Sequence, residues 1–449
     1  MSTMIKRADQ GTVSLAITEE TSKNGLTPSF YGFAFEMDEW WSSLSFPQGR
    51  NFYEAMSKQS GVMPTLRFGG NSADHRMNDL GTFEKYLKKL HQKTNGTYKM
   101  IVTLNLLQGK RDFMIKQAQI AKRILGNQLL YVELGNEPNL YDKIWNFKGS
   151  GIRERLPPIL EDHSKAIKQA VPGVNTICGA YSNDGVQHLE QTMKVAKSCD
   201  AYSFHWYKTQ VKFRNQWVDH RRITSDPRFE FFRRPTARLD TLSGDKSLFI
   251  TEVNTVNFSG TKGVSDAFVA AKFAVLGAIE AAVHGVNRAY FQTGDYKAYT
   301  CIDRVAHSNP VAFQARPLFY GMYAMTSFIG KHGNLGIVGR VAKSDYSVYT
   351  FQDRSSDKKK MVLIDNRTPG FQKQEFQVQF PTTFGIRQGT KLSIKILSQD
   401  ADGKVRYAGI TFGNNGRIEG KVTTQAGKCG ENVCSFEAPT GSVVFGVFK

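Results

Sequence analysis

Eight short, nearly continuous apolar runs punctuate the chain between Ser29 and about Phe328. They are SFYGFAF (29–35), TLRFGG (65–70), MIVTLNLL (100–107), LLYVELG (129–135), TICGAY (176–181), AYSFHWY (201–207), SLFITEV (247–253) and NRAYFQTG (287–294). Strands buried on both faces carry runs of this kind, whereas half-exposed strands alternate. Between them lie stretches of helical period, such as NFYEAMSKQ, DFMIKQAQIAKRIL, LPPILEDHSKAIKQAV, VQHLEQTMKVAKS and SDAFVAAKFAVLGAIEAAVHG. Eight strand–helix units over residues 28–330 predict a (β/α)8 barrel, which typically needs about 250 residues. An open doubly wound sheet would want a glycine-rich phosphate loop after its first strand, and none is present there.

From about Gly336 the period changes. YSVYTFQD, KKMVLIDNR, EFQVQF, KLSIKIL, RYAGITF and SVVFGVF are strand-like and separated by Gly, Pro, Asp and Lys clusters. Residues 331–449 therefore read as an antiparallel β-sandwich. TVSLAI (12–17) is strand-like as well, and residues 1–27 are expected to add a strand to that sandwich. The charged cluster SSDKKK (355–360) reads as a solvated hairpin turn.

Composition adds a globular core and a strong charge. Hydrophobic residues make up 40%, with 31 Phe and 17 Tyr. No apolar run approaches the roughly 20 residues of a membrane span. The first ten residues, MSTMIKRADQ, hold no apolar signal-type stretch. Lys and Arg outnumber Asp and Glu by 59 to 40, a net +19 that favours polyanionic partners. The basic residues are scattered and no helix-turn-helix, zinc-finger or RNP pattern appears, which argues against nucleic acid. Of five cysteines, Cys429 and Cys434 in GKCGENVC fit either a local disulfide or two free thiols. A bridge would suit an oxidising compartment. Sequons at Asn95, Asn257 and Asn366 carry meaning only in a secreted protein. A secreted or extracytoplasmic location is the expectation, and the oligomeric state is left open.

Barrel enzymes place their chemistry at the C-terminal ends of the strands. The fourth run ends LGNEP, with Asn136 and Glu137 at the mouth, and the seventh ends FITEVN, with Glu252 there. Strands four and seven lie roughly across an eight-stranded barrel. Two carboxyls facing across a pocket suit glycoside hydrolysis: one protonates the leaving oxygen and the other attacks the anomeric carbon. No metal or organic cofactor is required, and no HExxH, Cys/His cluster or P-loop occurs.

GNEP at one strand end, followed 115 residues later (252 − 137) by an apolar strand ending in Glu, resembles the clan-A glycoside hydrolases. The fuller resemblance is to glycoside hydrolase family 79, the β-glucuronidase, heparanase and hyaluronoglucuronidase group. LRFGGNSADH (66–75), YVELGNEPNLY (131–141), SFHWY (203–207), LFITEVNTV (248–256), KGVSDAFVAAKFAV (262–275) and ARPLFYGMYAM (315–325) carry it. The resemblance implies a retaining mechanism, with Glu137 as acid/base and Glu252 as nucleophile. It implies that Asn136 bonds the sugar 2-hydroxyl and that Tyr207 steadies the nucleophile. Arg67 would keep Glu252 ionised, and His205 would lie close to the substrate. Asn71, Ser72 and Asp74 are expected to line the glycone pocket. Gly294 and Tyr296 in TGDYKAY are expected to bind a uronic carboxylate, with Tyr299 nearby. Asp295 would repel that carboxylate unless it points away, and Lys297 would offset it.

The resulting expectation is an enzyme cleaving β-glucuronide linkages in an acidic glycan such as heparan sulfate or hyaluronan. Basic stretches KYLKKLHQK (85–93), DHRRI (219–223) and FFRRPTAR (231–238) could grip such a chain. The alternatives are a clan-A β-glycosidase acting on a neutral sugar, and a non-catalytic polyanion-binding barrel.

Overall fold

The computed structural model describes residues 12–22, 24–37, 42–141, 151–209, 212–213, 216–217, 223, 239–295, 297–343 and 345–449. Tyr296 and the basic stretches 219–222 and 231–238 lie outside the described residues. The chain divides into two compact units. One holds Ser22–Asn334 together with Phe412–Glu419, and the other holds the residues through Thr21, Leu335–Thr411 and Gly420–Lys449. The short segment 412–419 clusters with the barrel unit, although it falls within the 331–449 stretch read as sandwich.

The first unit is a closed parallel barrel of eight strands. They are β1 (Tyr31–Glu36), β2 (Thr65–Gly69), β3 (Met100–Leu104), β4 (Leu129–Leu134), β5 (Thr176–Tyr181), β6 (Ala201–Thr209), β7 (Ser247–Val256) and β8 (Arg288–Gln292). β8 closes the ring on β1, with Ala289 opposite Tyr31 and Gln292 opposite Ala34. β2, β3 and β5 are buried at every residue, as the continuous runs require. Helices cover them outside. Asp79 caps Leu80–Thr94, its side chain accepting from the Thr82 N–H at 2.7 Å. Phe83, Leu87 and Leu90, at 3–4-residue spacing, form the buried face of that helix. Phe268–Val283 is apolar apart from Lys272 and Glu280, is buried over nearly its whole length and packs on Pro317–Ile329.

Inside the barrel, Ala34, Ile101, Ile177, Ala201, Phe249 and Tyr290 form an apolar plug with Tyr131 against it. Strand residues two apart share a face. The interior positions above the plug are therefore Glu36, Thr103, Glu133 and Ser203, then His205 and Tyr207 further along β6. On β7 the same period points to Thr251 and Val253. A bulge between Ile250 and Glu252 breaks the register with both neighbouring strands, and it brings Glu252 onto the interior face.

The second unit is a mostly antiparallel sheet. Its strand order is Val13–Ala16, Lys373–Gln379, Val433–Pro439, Gln425–Cys429, Leu392–Gln399, Val443–Phe448, Lys359–Asp365, Tyr346–Asp353, Leu335–Ala342 and Thr18–Glu19. The N-terminal segment pairs with both ends of this path: Val13–Ala16 runs parallel to Phe376–Gln379, and Thr18–Glu19 antiparallel to Gly339–Arg340. Leu15 and Ile17 enter the same core as Phe376, Met361 and Phe448. Residues 354–358 turn between Tyr346–Asp353 and Lys359–Asp365, with Ser355 and Ser356 bonded to the Asp353 carboxylate. Cys429 and Cys434 face each other across adjacent strands and are bridged. In the barrel a second disulfide, between Cys178 on β5 and Cys199 before β6, was not anticipated from the sequence. Among the described residues no helix is long and apolar enough to cross a membrane.

Candidate active site

Arg67 of β2 is fully buried and organises the barrel mouth. Its Nε donates to Glu133 Oε2 at 2.9 Å and its Nη1 to Glu252 Oε2 at 2.9 Å. Its Nη2 donates to Asn136 Oδ1 at 3.0 Å and faces His205 Nε2 at 3.3 Å. Glu133, also fully buried, accepts from Thr103 Oγ1 and Ser203 Oγ, each at 2.9 Å. A buried charge survives only when paired and fully hydrogen-bonded. Glu133 therefore balances Arg67 from below, and the guanidinium is left to serve Glu252 above.

Glu252 is 9% exposed. Tyr207 Oη donates to its Oε1 at 2.6 Å. Burial alone raises the Glu252 carboxyl. The His205 ring, the Arg67 guanidinium and the Tyr207 hydroxyl outweigh it and hold the group below the usual carboxylate range. These groups favour Glu252 as a carboxylate. Tyr207 is fixed independently of its hydroxyl: Asn183 Oδ1 accepts from its N–H at 2.8 Å and Asn183 Nδ2 donates to its carbonyl at 2.7 Å.

Glu137 stands just past β4 in the left-handed region, at φ 49° and ψ 51°. Its N–H donates to Ala180 O at 2.9 Å and its carbonyl accepts from the Leu140 N–H at 2.9 Å. Its side chain, 22% exposed, is more open than that of Glu252 at 12%, which suits a group that must meet a leaving group and then water. His205 joins the two acids. Its Nε2 faces Arg67 Nη2 and its Nδ1 lies 3.1 Å from Glu137 Oε1. Nδ1 also lies 3.9 Å from Glu252 Oε2. By the sum of 3.1 and 3.9 Å, those two carboxyl oxygens are no more than 7.0 Å apart. The bound accommodates the separation of about 5–5.5 Å found in retaining glycosidases.

The loop after β2 supports this arrangement more than it lines a pocket. Asn71 is exposed and its Oδ1 accepts from Asn136 Nδ2 at 3.3 Å. Ser72 and Asp74, expected in the pocket wall, are only 5% and 3% exposed. Ser72 donates through N–H and Oγ to Glu36 Oε2, at 2.9 and 2.7 Å. Glu36, at the end of β1, is a further acid at the mouth that the sequence reading overlooked. Burial first, then the Glu252 charge, raise its carboxyl. Gly70 between them has φ 70°, and a Cβ there would lie 2.2 Å from Glu36 Oε1, so only glycine fits. Asp74 accepts from the Asn136 N–H and from Tyr141 Oη.

After β8, Gly294 is buried and its N–H is directed at Thr300 Oγ1, 3.4 Å away. Asp295 accepts from Ser42 Oγ at 2.6 Å. Lys297 stacks over the Tyr299 ring at 6.0 Å, and Tyr299 in turn lies 6.3 Å from the Tyr207 ring. Continuously apolar runs interrupted by a single charge, FAFE, TLRF and YVEL, were the signal for Glu36 and Glu133 as they were for Arg67. Tyr141 and Asn183 carried no such signal.

No family model and no curated sequence matches this chain. Solved structures do. A 4-O-α-L-rhamnosyl-β-D-glucuronidase from Fusarium oxysporum 12S superposes with a TM-score of 0.78 at 15% identity, covering 97% of this chain and 100% of its own. A family 51 arabinofuranosidase from Xanthomonas axonopodis pv. citri gives 0.61 at 12% identity, with 97% and 100% covered. The catalytic domain of family 30 xylanase C from Talaromyces cellulolyticus gives 0.57 at 10%, again with 97% and 100% covered. The chain has the fold of these glycoside hydrolases: a (β/α)8 barrel with a separate, mostly antiparallel β-sheet domain.

Proposed function

We propose that this chain is a retaining β-glycosidase of the family 79 type, acting on β-glucuronides within acidic glycans. The observation that carries the mechanism is the asymmetry of the two acids. Glu252 is clamped as a carboxylate by Arg67 and Tyr207, while the more open Glu137 meets, among the described residues, His205 Nδ1. In the first step Glu252 attacks the anomeric carbon and Glu137 gives its proton to the departing oxygen. A glycosyl ester forms on Glu252. Glu137, now a carboxylate, takes a proton from water, which attacks the anomeric carbon and releases Glu252. Asn136, held by Arg67 and Asn71, is placed to bond the sugar 2-hydroxyl.

Three observations support the glucuronide. The rhamnosyl-glucuronidase superposes at 0.78, against 0.61 and 0.57 for the arabinofuranosidase and the xylanase. The net charge is +19. Asp295 is engaged by Ser42 Oγ, which gives that carboxyl a partner within the protein beside Gly294. The two disulfides support work in an oxidising, extracytoplasmic compartment. A neutral glycone is the second reading, favoured by Glu36, a carboxyl close enough to Glu252 to feel its charge.

Assays on 4-nitrophenyl β-glucuronide and on the matching β-glucoside, β-xyloside and β-galactoside separate these readings. Digestion of heparan sulfate and hyaluronan with product sizing then identifies the chain. Turnover of the uronide is expected; turnover of a neutral glycoside alone overturns it.

A further inference from the structure

The acid/base Glu137 sits on a backbone that an L-residue adopts at a cost of about 1–2 kcal/mol. Something must hold it there. The turn that carries it, residues 135–141, is closed by its own last member. The Asn136 N–H is shared between Tyr141 Oη at 3.1 Å and Asp74 Oδ2 at 3.1 Å, and Tyr141 Oη donates to the same Asp74 oxygen. Tyr141 and Asp74 are 4% and 3% exposed. Asp74 comes from the short helix after β2, on the strand that also supplies Arg67. The triangle is thus anchored on the element that sets the nucleophile.

We infer that Asp74 and Tyr141 are positioning residues for general acid catalysis: their hydrogen-bonded triangle with the Asn136 N–H sets the angle at which Glu137 meets the leaving oxygen. The inference rests on the acid/base role proposed for Glu137. Burial of the Asp74 carboxyl, which pushes it up to about 7, is the cost of placing an acceptor there without a salt-bridge partner.

The test compares aryl β-glucuronides whose leaving groups do or do not need a proton. Tyr141→Phe should lower kcat/KM at least about 10-fold on the phenyl glycoside and less than about threefold on the 2,4-dinitrophenyl glycoside, with KM little changed. In a Glu137→Gln background, Tyr141→Phe should cost nothing further on either. Asp74→Asn, which preserves size, repeats the comparison if the phenylalanine variant does not fold. Equal losses on both leaving groups, or the same loss in the Glu137→Gln background, overturn the inference. If the wild type cleaves only a neutral glycoside, the proposed sugar fails and aryl forms of that glycoside carry the same comparison. If it cleaves no β-glycoside, both fall together.

Discussion

Replacing Tyr207 by phenylalanine removes one hydroxyl and the 2.6 Å hydrogen bond it gives to Glu252 Oε1. The main chain of Tyr207 stays pinned by Asn183 on both its N–H and its carbonyl, so the ring keeps its place. A hydrogen bond to a charged group contributes about 1.5–3 kcal/mol, and 1.36 kcal/mol corresponds to one pKa unit. Glu252 is held below the usual carboxylate range against the opposing effect of burial, and this hydroxyl is one of the groups that hold it there. Its loss should raise the carboxyl by about one to two units. In the proposed mechanism Glu252 attacks only as a carboxylate, so activity should disappear as the pH falls through that value. The acidic limb of kcat/KM should therefore move to higher pH by the same one to two units. A pH–rate profile on 4-nitrophenyl β-glucuronide reads the limb, and mass spectrometry after a 2-fluoro glycosyl fluoride confirms the ester on Glu252. A limb that stays within about 0.3 units of the wild type would refute the role given to Tyr207.

Glu252→Gln should abolish turnover, while Glu137→Gln should cost about 10²- to 10⁴-fold on poor leaving groups and little on dinitrophenolate; equal retention of activity in both would return the chain to a non-catalytic reading. Asp74 binds its proton more tightly folded than unfolded, its value raised from 3.8 to about 7. The stability this provides is complete below pH ~4 and is lost as pH rises to about 7, at most ~4 kcal/mol. Urea unfolding at pH 4.5 and 7.5 should therefore show a flatter pH dependence in Asp74→Asn. Gly70→Ala should lose at least about 1–3 kcal/mol and most activity, because φ 70° and the Glu36 carboxylate both exclude a Cβ. Opening the Cys178–Cys199 bridge, 21 residues apart, by a double serine variant should cost about 3 kcal/mol in the same unfolding assay.

The barrel was legible because strands covered on both faces must be apolar throughout. TICGAY, for example, spans the same residues as β5. Glu137 and Glu252 were legible because strand ends at the barrel mouth expose their polar residues to the pocket. Glu133 and Arg67 show where such reading stops. Each is a charge inside an apolar run, and their partnership joins strands two and four, 66 residues apart. Strict two-residue period along β7 would turn Glu252 outward, and the register shift against both neighbouring strands brings it inward. Ser72 and Asp74 were legible as polar residues near the mouth, yet the tight turn at Gly70 aims them at Glu36 and Asn136. The Cys178–Cys199 bridge depends on the adjacency of β5 and β6, and the departure of residues 412–419 from the sheet unit depends on contacts their sequence does not display.

The N-terminal segment that pairs with both ends of the sheet has a consequence for synthesis on the ribosome. Val13 lies opposite Phe376, so the strand Val13–Ala16 waits for some 363 further residues before its partner exists. At about 5–20 residues per second the delay is roughly 20–70 s. During that time the whole stretch Ser22–Asn334 emerges and can close its own ring. Leu15 and Ile17 stay without their core until the last strands arrive. The strands within 335–365 and their pairing with Thr18–Glu19 can form first, and translation halted before residue 373 would leave Val13–Ala16 without its partner strand.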